Sequence, residues 1–357
     1  MEKRTRVAII GAGVAGLGAA YRLREAPASV VIFEKSRGVG GRVATRSRHV
    51  GATRVRFDHG AQYIRPESDS PIFSLLTEEL DSTALVAIDR PIWPVDETGK
   101  VRPDLTRPAT GPQWTYADGI SRLGKLLLAA SGAELRTQVR VARVEKAGRE
   151  WHLFDEAGEF LSVFDRVLFT APAAQTADIL AASSSEIVPE LVDDLRSIPY
   201  RAQFTFTFAF DQLLPRPEAY AFVDTSSENA LAWLAFETDK PNRAPSGWTV
   251  LVAQMSDAWT REHFDDDPAD LAEMVRAMIG ELSEINLPYP VMSDHQRWRF
   301  ALPSGRVDES LLSLGHPQGL HLAGDFTVGE GRVHLALQSG IEEGAIISES
   351  ISAPVYG

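Results

Sequence analysis

The chain has 357 residues, a formal charge of −13, 44% hydrophobic and 24% charged residues, and no cysteine. This is the composition of a folded globular protein with room for about two domains, and the lack of cysteine excludes disulfides, thiolate metal sites, a thiol nucleophile and a cysteinyl cofactor link. The acidic balance argues against broad binding to nucleic acid or to an anionic membrane. Because no apolar run reaches about 18 residues and no signal-peptide pattern opens the chain, we expect a cytoplasmic protein.

The first elements form a βαβ pattern. A buried strand, Arg6 to Ile10, runs into Gly11-Ala-Gly-Val-Ala-Gly16, a helix from Leu17 to Arg24 follows, and a second strand, Val30 to Phe33, ends at Glu34. In such a unit the glycines allow a tight turn, close approach of a pyrophosphate and close helix–strand packing, and the acid binds a ribose diol. Because a carboxylate repels a 2′-phosphate, the pattern predicts FAD or NAD rather than NADP.

A second glycine cluster follows at once in Glu34-Lys-Ser-Arg-Gly-Val-Gly-Gly-Arg42. Its backbone amides can reach an extended diphosphate, and Arg42 can neutralise phosphate charge or contact a flavin. This second cluster favours FAD over NAD.

The rest of the chain is predicted to contain helices, strands and one long irregular stretch. Residues 57–116 are predicted to be irregular with one helix near 72–80, and the strands between 139 and 170 to form a small sheet packed on the first domain. Four phenylalanines share one face of a strand at 203–210 and are expected in a core. The other predicted strands are 230–237, 248–254 and 320–325, and the predicted helices are 120–131, 173–180, 187–197, 268–282 and 333–351.

Several segments resemble the FAD-dependent amine oxidase superfamily, and more closely its renalase-like branch. They are Glu34 to Arg42, Phe57-Asp-His-Gly-Ala-Gln-Tyr63, Trp233 with Lys240-Pro-Asn-Arg243, Gln296-Arg-Trp-Arg-Phe-Ala-Leu-Pro303, and Leu322-Ala-Gly-Asp325 with Gly331-Arg-Val333. The resemblance implies an α/β fold with a discontinuous Rossmann-like FAD-binding domain at 1–60, 120–175 and 290–357. An inserted α+β substrate domain on a mixed or antiparallel sheet would occupy 61–119 and 176–289.

The resemblance also implies roles for single residues. Gly60 to Tyr63 would line the isoalloxazine, Val141 would cover the adenine side, Asp325 would bind the ribityl chain, and the amides of Arg332 and Val333 would face the flavin pyrimidine. His334-Leu335 departs from the acidic residue and glycine that the family commonly has there. The residues expected to bind FAD, without a covalent link, are Gly11, Ala12, Gly13, Ala15, Gly16, Glu34, Lys35, Gly41, Arg42, Gly60, Ala61, Gln62, Tyr63, Val141, Gly324, Asp325, Arg332 and Val333.

A flat aromatic substrate slot is expected from Tyr63, Trp114, Trp233 and Phe236, although each of these side chains is also a candidate for ordinary packing. Four histidines fall in or near flavin motifs and could exchange protons or make structural hydrogen bonds. They are His59, His295, His321 and His334. No residue is assigned as catalytic acid or base, and no metal ligand is predicted.

The resemblance implies oxidation of non-standard dihydronicotinamide isomers to NAD(P)+, with hydride passing to the flavin and dioxygen reduced to hydrogen peroxide. Two alternatives stay open, namely a flavin amine oxidase or desaturase acting on a small amine or other metabolite, and a non-catalytic flavin-binding protein. A carboxylate or aromatic cage would favour a cationic amine. A flat neutral slot would favour a dihydronicotinamide.

Overall fold

The computed structural model describes residues 4–106, 111–183 and 189–352. Numbered in chain order, the strands are β1 (Thr5–Ile10), β2 (Ala28–Glu34), β3 (Thr45–Val50), β4 (Thr53–Asp58), β5 (Leu85–Ala87), β6 (Ile92–Val95), β7 (Trp114–Tyr116), β8 (Glu134–Thr137), β9 (Val141–Ala147), β10 (Glu150–Asp155), β11 (Phe160–Phe164), β12 (Arg166–Phe169), β13 (Tyr200–Phe210), β14 (Ala221–Asp224), β15 (Leu231–Phe236), β16 (Thr249–Met255), β17 (Met292–Pro303) and β18 (Leu320–Leu322). The α-helices are α1 (Val14–Arg22), α2 (Pro71–Ser74), α3 (Arg122–Ser131), α4 (Ala173–Ala181), α5 (Pro189–Ser197), α6 (Asp257–Glu262), α7 (Pro268–Ser283), α8 (Glu309–Leu312), α9 (Asp325–Val328) and α10 (Val333–Ser352). None of these helices has the length and apolarity needed to cross a membrane.

The chain folds into two compact units, each assembled from separate stretches of sequence. Unit 1 consists of Met1–Val43, Leu123–Tyr200 and Leu302–Gly357, and unit 2 of Ala44–Arg122 and Arg201–Ala301. The chain passes from one unit to the other after residues 43, 122, 200 and 301. Three of these positions lie far from the predicted domain boundaries at 60, 175 and 290. β3 and β4 pair with each other inside unit 2, and α5 packs on α4 inside unit 1.

Unit 1 is built on a five-stranded parallel sheet in the order β18-β12-β1-β2-β8. β1 lies at its centre, and Val7, Ala8 and Ile9 are fully buried, as expected for a parallel strand covered on both faces. The order is that of a doubly wound dinucleotide-binding fold, in which the connections reverse direction beside the first strand. The predicted Rossmann-like fold class is confirmed.

Helices α1 and α10 of unit 1 pack backbone against backbone through glycines. A Cβ atom added at Gly340 would overlap the carbonyl oxygen of Ala15, and one added at Gly344 would lie 2.9 Å from the carbonyl oxygen of Ala19. From the first contact to the second, the position moves four residues forward in α10 and four residues forward in α1. The two helices therefore run parallel to each other. This close contact requires residues without side chains.

The small sheet of unit 1 differs in one strand from the prediction. It contains β11, β10 and β9, joined antiparallel, whereas β12, predicted as its third strand, pairs with β1 and β18 in the parallel sheet. Residues Val167, Leu168 and Phe169 are buried without alternation, as is typical of a central parallel strand. β11, which the sequence pattern did not predict, takes the vacated place.

Unit 2 contains a six-stranded mixed sheet in the order β17-β13-β16-β15-β14-β6, in which β14 runs parallel to β6 and antiparallel to β15. One face packs the four phenylalanines of β13 against α7, confirming that this stripe is core. The other face packs Phe57, Tyr220, Trp233 and Val252 together. The mixed sheet confirms the predicted architecture of the second part of the fold.

Two predicted helices differ in detail, and one long strand was not predicted. The helix expected at 72–80 is α2 followed by a π-helix, Leu75–Glu79. Two residues of the helix expected at 187–197, Ile187 and Val188, lie outside the described residues, and the remainder forms α5. β17 was missed because its polar, mostly half-buried residues give a weak hydrophobic pattern.

Candidate functional site

Unit 1 brings many of the predicted cofactor residues to one edge of its parallel sheet. β1, β2, β12 and β18 run in the same direction and are followed by Gly11, Lys35, Thr170 and Ala323. Asp325 comes two residues after Ala323. Ligands of open α/β sheets bind outside the carboxyl ends of the strands, so this edge is the candidate cofactor site.

The first glycine turn has the geometry that its sequence predicts. Gly11 has a φ of +113°, and its N–H donates to the carbonyl oxygen of Phe33 at 2.8 Å. A Cβ at Gly16 would overlap the carbonyl oxygen of Gly11, whereas a Cβ at Gly13 would meet nothing within 4 Å. The backbone at the start of α1 therefore borders open space, as a bound phosphate requires.

Glu34, at the end of β2, is hydrogen-bonded to the first glycine turn and to two other segments of the chain. Its Oε2 accepts the N–H of Ala12 and its Oε1 that of Ser36, both at 2.8 Å. The carbonyl oxygen of Glu34 also accepts the N–H of Val139 at 3.0 Å, which brings the chain entering β9 and Val141 alongside. Since each carboxylate oxygen can accept a second hydrogen bond, Glu34 keeps capacity for a ribose diol.

The second glycine cluster packs on the first. The N–H of Gly40 donates to the carbonyl oxygen of Ala12 at 2.8 Å. Gly41 has a φ of +59°, and a Cβ there would lie 3.3 Å from Cα of Gly13. Lys35 donates to Oε1 of Gln175 at 2.9 Å, and burial lowers its pKa. The two clusters thus form one glycine-lined surface.

Arg42 and Asp325, predicted separately as cofactor residues, form an ion pair. Nη1 of Arg42 lies 2.5 Å from Oδ2 of Asp325. Burial alone would lower the pKa of Arg42, but the adjacent carboxylate outweighs it and the pKa is raised. Oδ1 of Asp325 is buried and accepts no hydrogen bond from the described residues. A buried acceptor without a donor, beside a glycine-lined cradle, fits the ribityl and diphosphate groups of FAD.

Gly324 and the start of α10 complete this edge. Gly324 has a φ of +147°, and its N–H donates to Oγ of Ser339 within α10 at 2.9 Å. Of the two amides predicted to face the flavin, that of Arg332 already donates to the carbonyl oxygen of Glu330 at 2.9 Å. Val333 is the first residue of α10, where backbone N–H groups lack partners inside the helix.

In unit 2, the loop from Gly60 to Tyr63 is held by two glutamine side chains. Nε2 of Gln62 donates to the carbonyl oxygens of Asp58 at 2.6 Å and Gly60 at 3.2 Å. Nε2 of Gln254 donates to the carbonyl oxygen of Gly60 at 2.7 Å. Gln62, one of the predicted flavin contacts, is therefore buried and also braces the loop.

Beneath this loop lies a group of four buried charges, Asp58, Glu237, Lys240 and Arg243, here called the buried ion cluster. Nζ of Lys240 lies 3.0 Å from Oδ2 of Asp58 and 2.8 Å from Oε2 of Glu237. Arg243 contacts the same two carboxylates at 2.7 and 2.8 Å. All four side chains are fully inaccessible to solvent.

The electrostatics of the buried ion cluster are balanced, with two carboxylates against two cations. Burial alone would raise the pKa of Asp58, but Lys240 and Arg243 outweigh it and lower that pKa. Burial dominates at Glu237, whose pKa is raised. Lys240 also lies 3.4 Å from Oε1 of Gln62, so the cluster supports the Gly60 to Tyr63 loop directly. Asp58, Lys240 and Arg243 lie in segments that resemble the family, but their sequence positions did not predict that they meet, and Glu237 was not among the predicted residues.

The predicted aromatic slot is only partly assembled. The rings of Tyr63 and Trp233 lie 6.0 Å apart, and Tyr220 packs edge-on against Trp233, also at 6.0 Å. Cζ of Arg65 lies 5.9 Å from the centre of the Tyr63 ring. Nε1 of Trp233 is buried without an acceptor among the described residues.

The other two predicted slot residues take different places. Trp114 pairs with Ile64 through two backbone hydrogen bonds of 2.7 and 2.8 Å, and its ring meets the edge of Phe73. Phe236 lies on the opposite face of the sheet from Trp233, in the core with Phe222. Its assignment to the slot is wrong because neighbouring strand positions alternate between faces, which separates 236 from 233.

His59 is stacked on Trp298 at 5.4 Å, with an interplanar angle of 11°. Burial and the nearby Arg46 lower the pKa of His59 to about 4. The imidazole is therefore neutral at physiological pH. Among the other histidines considered, burial lowers the pKa of His295, and His321 pairs with Glu343.

The lowered pKa of His59 predicts a loss of stability in acid. Because the unfolded chain binds a proton near pH 6.5 and the folded chain only near pH 4, the stabilisation is complete above pH 6.5 and declines as pH falls towards 4. At most about 3 kcal/mol is at stake. His59→Phe is expected to remove this part of the decline, as measured by urea unfolding from pH 7 to 4. A substitution at the exposed His49, His49→Phe, should leave the decline unchanged; an unaltered decline in His59→Phe would contradict the prediction.

The parallel sheet, the glycine-lined edge and the Arg42–Asp325 pair define a dinucleotide-binding α/β protein. The family model for an NAD(P)-binding Rossmann-like domain matches residues 9–78, and that for the flavin containing amine oxidoreductases matches residues 104–347. The second match covers more than half of the chain. The chain therefore belongs to the flavin-containing amine oxidoreductase family, and FAD is its cofactor.

Solved structures share this fold at low sequence identity. A protein assigned as a protoporphyrinogen oxidase, from Exiguobacterium sp. 255-15, is 16% identical, with a TM-score of 0.79 over 98% of this chain and 99% of that one. Reduced UDP-galactopyranose mutase is 12% identical, with 0.74 over 99% and 97%. Putrescine oxidase bound to putrescine is 16% identical, with 0.71 over 96% and 98%. Because these names differ in chemistry, the shared fold leaves the substrate to be argued from the site.

Proposed function

We propose that this FAD-dependent oxidoreductase is renalase-like and oxidises non-standard dihydronicotinamide isomers to NAD(P)+, with dioxygen accepting the electrons and giving hydrogen peroxide. Unit 1 would bind FAD without a covalent link, and unit 2 would be the substrate domain. The observation that carries the proposal is the setting of Tyr63 and Trp233, which combines flat aromatic rings, a cation and carboxylates that are already neutralised.

The candidate cofactor residues of unit 1 would contact different parts of FAD. The backbone from Gly11 to Gly16 and Gly41 would contact the diphosphate at the start of α1, Glu34 the ribose and Val141 the adenine side. Asp325, oriented by Arg42, would accept a hydrogen bond from the ribityl chain. FAD, when bound, supplies the hydride acceptor.

Two further segments would lie against the flavin ring. In unit 2, Gly60 to Tyr63 would line the isoalloxazine, held in place by the buried ion cluster. In unit 1, the start of α10 at Val333 would place N–H groups and the positive end of a helix dipole towards negative charge on the reduced ring. His334-Leu335 would give this helix start a bulkier surface than the family commonly has.

The aromatic group of unit 2 supports a planar substrate. Tyr63 is half-buried and can offer its ring to a flat heterocycle, while the buried rings of Trp233 and Tyr220 pack behind it. The buried indole N–H of Trp233 needs an acceptor, and a carboxamide oxygen would provide one. A nicotinamide ring carries both features.

The charges of unit 2 argue against a cationic amine. Asp58 and Glu237 are both paired with Lys240 and Arg243, so neither is available to bind a substrate ammonium group. Arg65, beside Tyr63, repels an ammonium group and attracts phosphate. A phosphate-bearing dihydronicotinamide satisfies both conditions.

The test is anaerobic bleaching of the flavin absorbance. FAD-loaded protein is mixed with isomer-enriched NADH or NADPH, with ordinary β-NADH, and with a panel of amines. Rapid bleaching by the isomers with formation of β-NAD(P)+ is expected. Bleaching by amines alone would overturn the proposal in favour of an amine oxidase or desaturase, and bleaching by no donor would favour a non-catalytic role.

A variant sharpens the test of the cationic contact. Arg65→Gln is expected to raise KM for the isomers about tenfold with little change in kcat, since one charge-assisted contact contributes about 1.4 kcal/mol. Arg54→Gln removes an exposed arginine of β4 and should leave KM unchanged. An equal KM in wild type and Arg65→Gln would contradict the phosphate contact.

A further inference from the structure

Two histidines and a glutamate meet in unit 1 on three different elements. His316 lies in a short 3-10 turn, His321 in the edge strand β18, and Glu343 near the middle of α10. One nitrogen or oxygen of each can be chosen so that all three lie within 4.8 Å of one another. In the part of the chain that the structure describes, no other group of three or more histidine, aspartate or glutamate side chains comes together in this way.

Hydrogen bonding accounts for only part of this arrangement. Nδ1 of His321 lies 2.5 Å from Oε1 of Glu343, as a hydrogen bond requires. Nε2 of His316 is 3.0 Å from the same oxygen, yet it is buried and makes no hydrogen bond with the described residues. The two imidazole rings are stacked, 4.7 Å apart. The place of His316 is therefore not explained by a hydrogen bond.

We propose that His316, His321 and Glu343 bind one divalent transition-metal ion, Zn²⁺ in the first instance. Two imidazoles and a carboxylate are donors that suit Zn²⁺, whereas Mg²⁺ and Ca²⁺ prefer oxygen ligands alone. In a tetrahedral site with bonds of about 2.1 Å the ligand atoms lie about 3.4 Å apart. The two short distances to Oε1 need to lengthen by less than 1 Å to reach this value.

The surroundings admit an ion and a water molecule. The side chains of His316 and Glu343 are 25% and 12% exposed, and that of His321 is 1% exposed. Solvent therefore reaches one side of the site, where water can supply the fourth ligand, and the other side is fixed in the core.

The bound ion would act as a structural clamp. It would join β18, which leads to Asp325, to α10, which begins at Val333, and both residues belong to the candidate cofactor edge. The ion itself would lie near the middle of α10 and not at the helix start. Its expected effect is on the stability of unit 1, independently of which substrate the flavin oxidises.

The experiment uses tag-free, FAD-loaded full-length protein treated with a chelator and then dialysed against ZnCl₂. Elemental analysis is expected to find one Zn²⁺ per chain, not displaced by excess Mg²⁺, and thermal unfolding should show a Zn²⁺-dependent rise in Tm. His316→Ala and Glu343→Gln are each expected to weaken Zn²⁺ binding at least about 100-fold and to abolish the rise in Tm. Unchanged FAD content would show that both variants fold.

His263→Ala is the matched control, because Nδ1 of His263 lies 2.7 Å from Asp266 in a pair without a second histidine. It should bind Zn²⁺ like wild type. The proposal is overturned if wild type takes up no stoichiometric Zn²⁺, or if His316→Ala and Glu343→Gln bind it as tightly as wild type.

Discussion

Lys240→Met is expected to lower the free energy of unfolding by about 3–5 kcal/mol, the usual result of removing one partner from a buried ion pair. Methionine fills a similar volume, so the loss comes from charge and not from a cavity. Asp58 and Glu237 would then share a single cation, Arg243, in a fully buried setting. The Gly60 to Tyr63 loop would lose its contact between Lys240 and Gln62, so FAD content should fall as well.

Urea unfolding of wild type and variant at pH 7, together with the ratio of flavin to protein absorbance, measures both effects. Lys125→Met, at an exposed position of α3, is the control and should change neither. The deficit of Lys240→Met should shrink as the pH is lowered, because Glu237, whose pKa burial already raises, can take up a proton. Adding Glu237→Gln to Lys240→Met should recover part of the loss. A loss below 1 kcal/mol would show that the cluster is not balanced as described.

How much of this fold could be predicted depends on how local each signal is. The βαβ start was predictable because glycine spacing, a buried apolar run and Glu34 lie within one short stretch. β8 and β17 were missed because Glu134–Thr137 and Met292–Pro303 are polar, half-buried strands. Such strands are specified by the neighbours they pair with, and those neighbours are distant in sequence.

In the candidate site, too, single residues could be predicted from local sequence, whereas contacts between distant residues could not. Arg42 and Asp325 were predicted as separate cofactor residues, but their 2.5 Å contact joins positions 283 residues apart, and only the folded sheet brings them together. Lys240 and Arg243 resemble surface charges when met in sequence, since charged residues are rarely buried without partners. Glu237 lies only three residues before Lys240, at the start of the same short turn, but Asp58 comes from the distant strand β4. The meeting of all four charges therefore follows from tertiary structure.

Gly340→Ala is expected to destabilise the protein by about 3 kcal/mol, the upper end for overpacking a core. Alanine favours a helix over glycine by about 1 kcal/mol, so propensity alone would predict a gain. The added Cβ, however, overlaps the carbonyl oxygen of Ala15, a backbone atom that cannot rotate away, and α1 and α10 must separate.

That separation should reach the cofactor as well, because α1 begins at the glycine turn and α10 begins at Val333. We therefore expect weaker FAD binding in Gly340→Ala, measured by equilibrium dialysis, beside a lower Tm. Gly344→Ala places its Cβ 2.9 Å from the carbonyl oxygen of Ala19, a milder clash, and should lose less. Gly111→Ala lies outside the cofactor edge, its Cβ would come no nearer than 3.6 Å to its neighbours, and it should match wild type. Equal stability of Gly340→Ala and Gly111→Ala would mean that α1 and α10 do not pack backbone to backbone, so the order of stability of the three variants tests that contact directly.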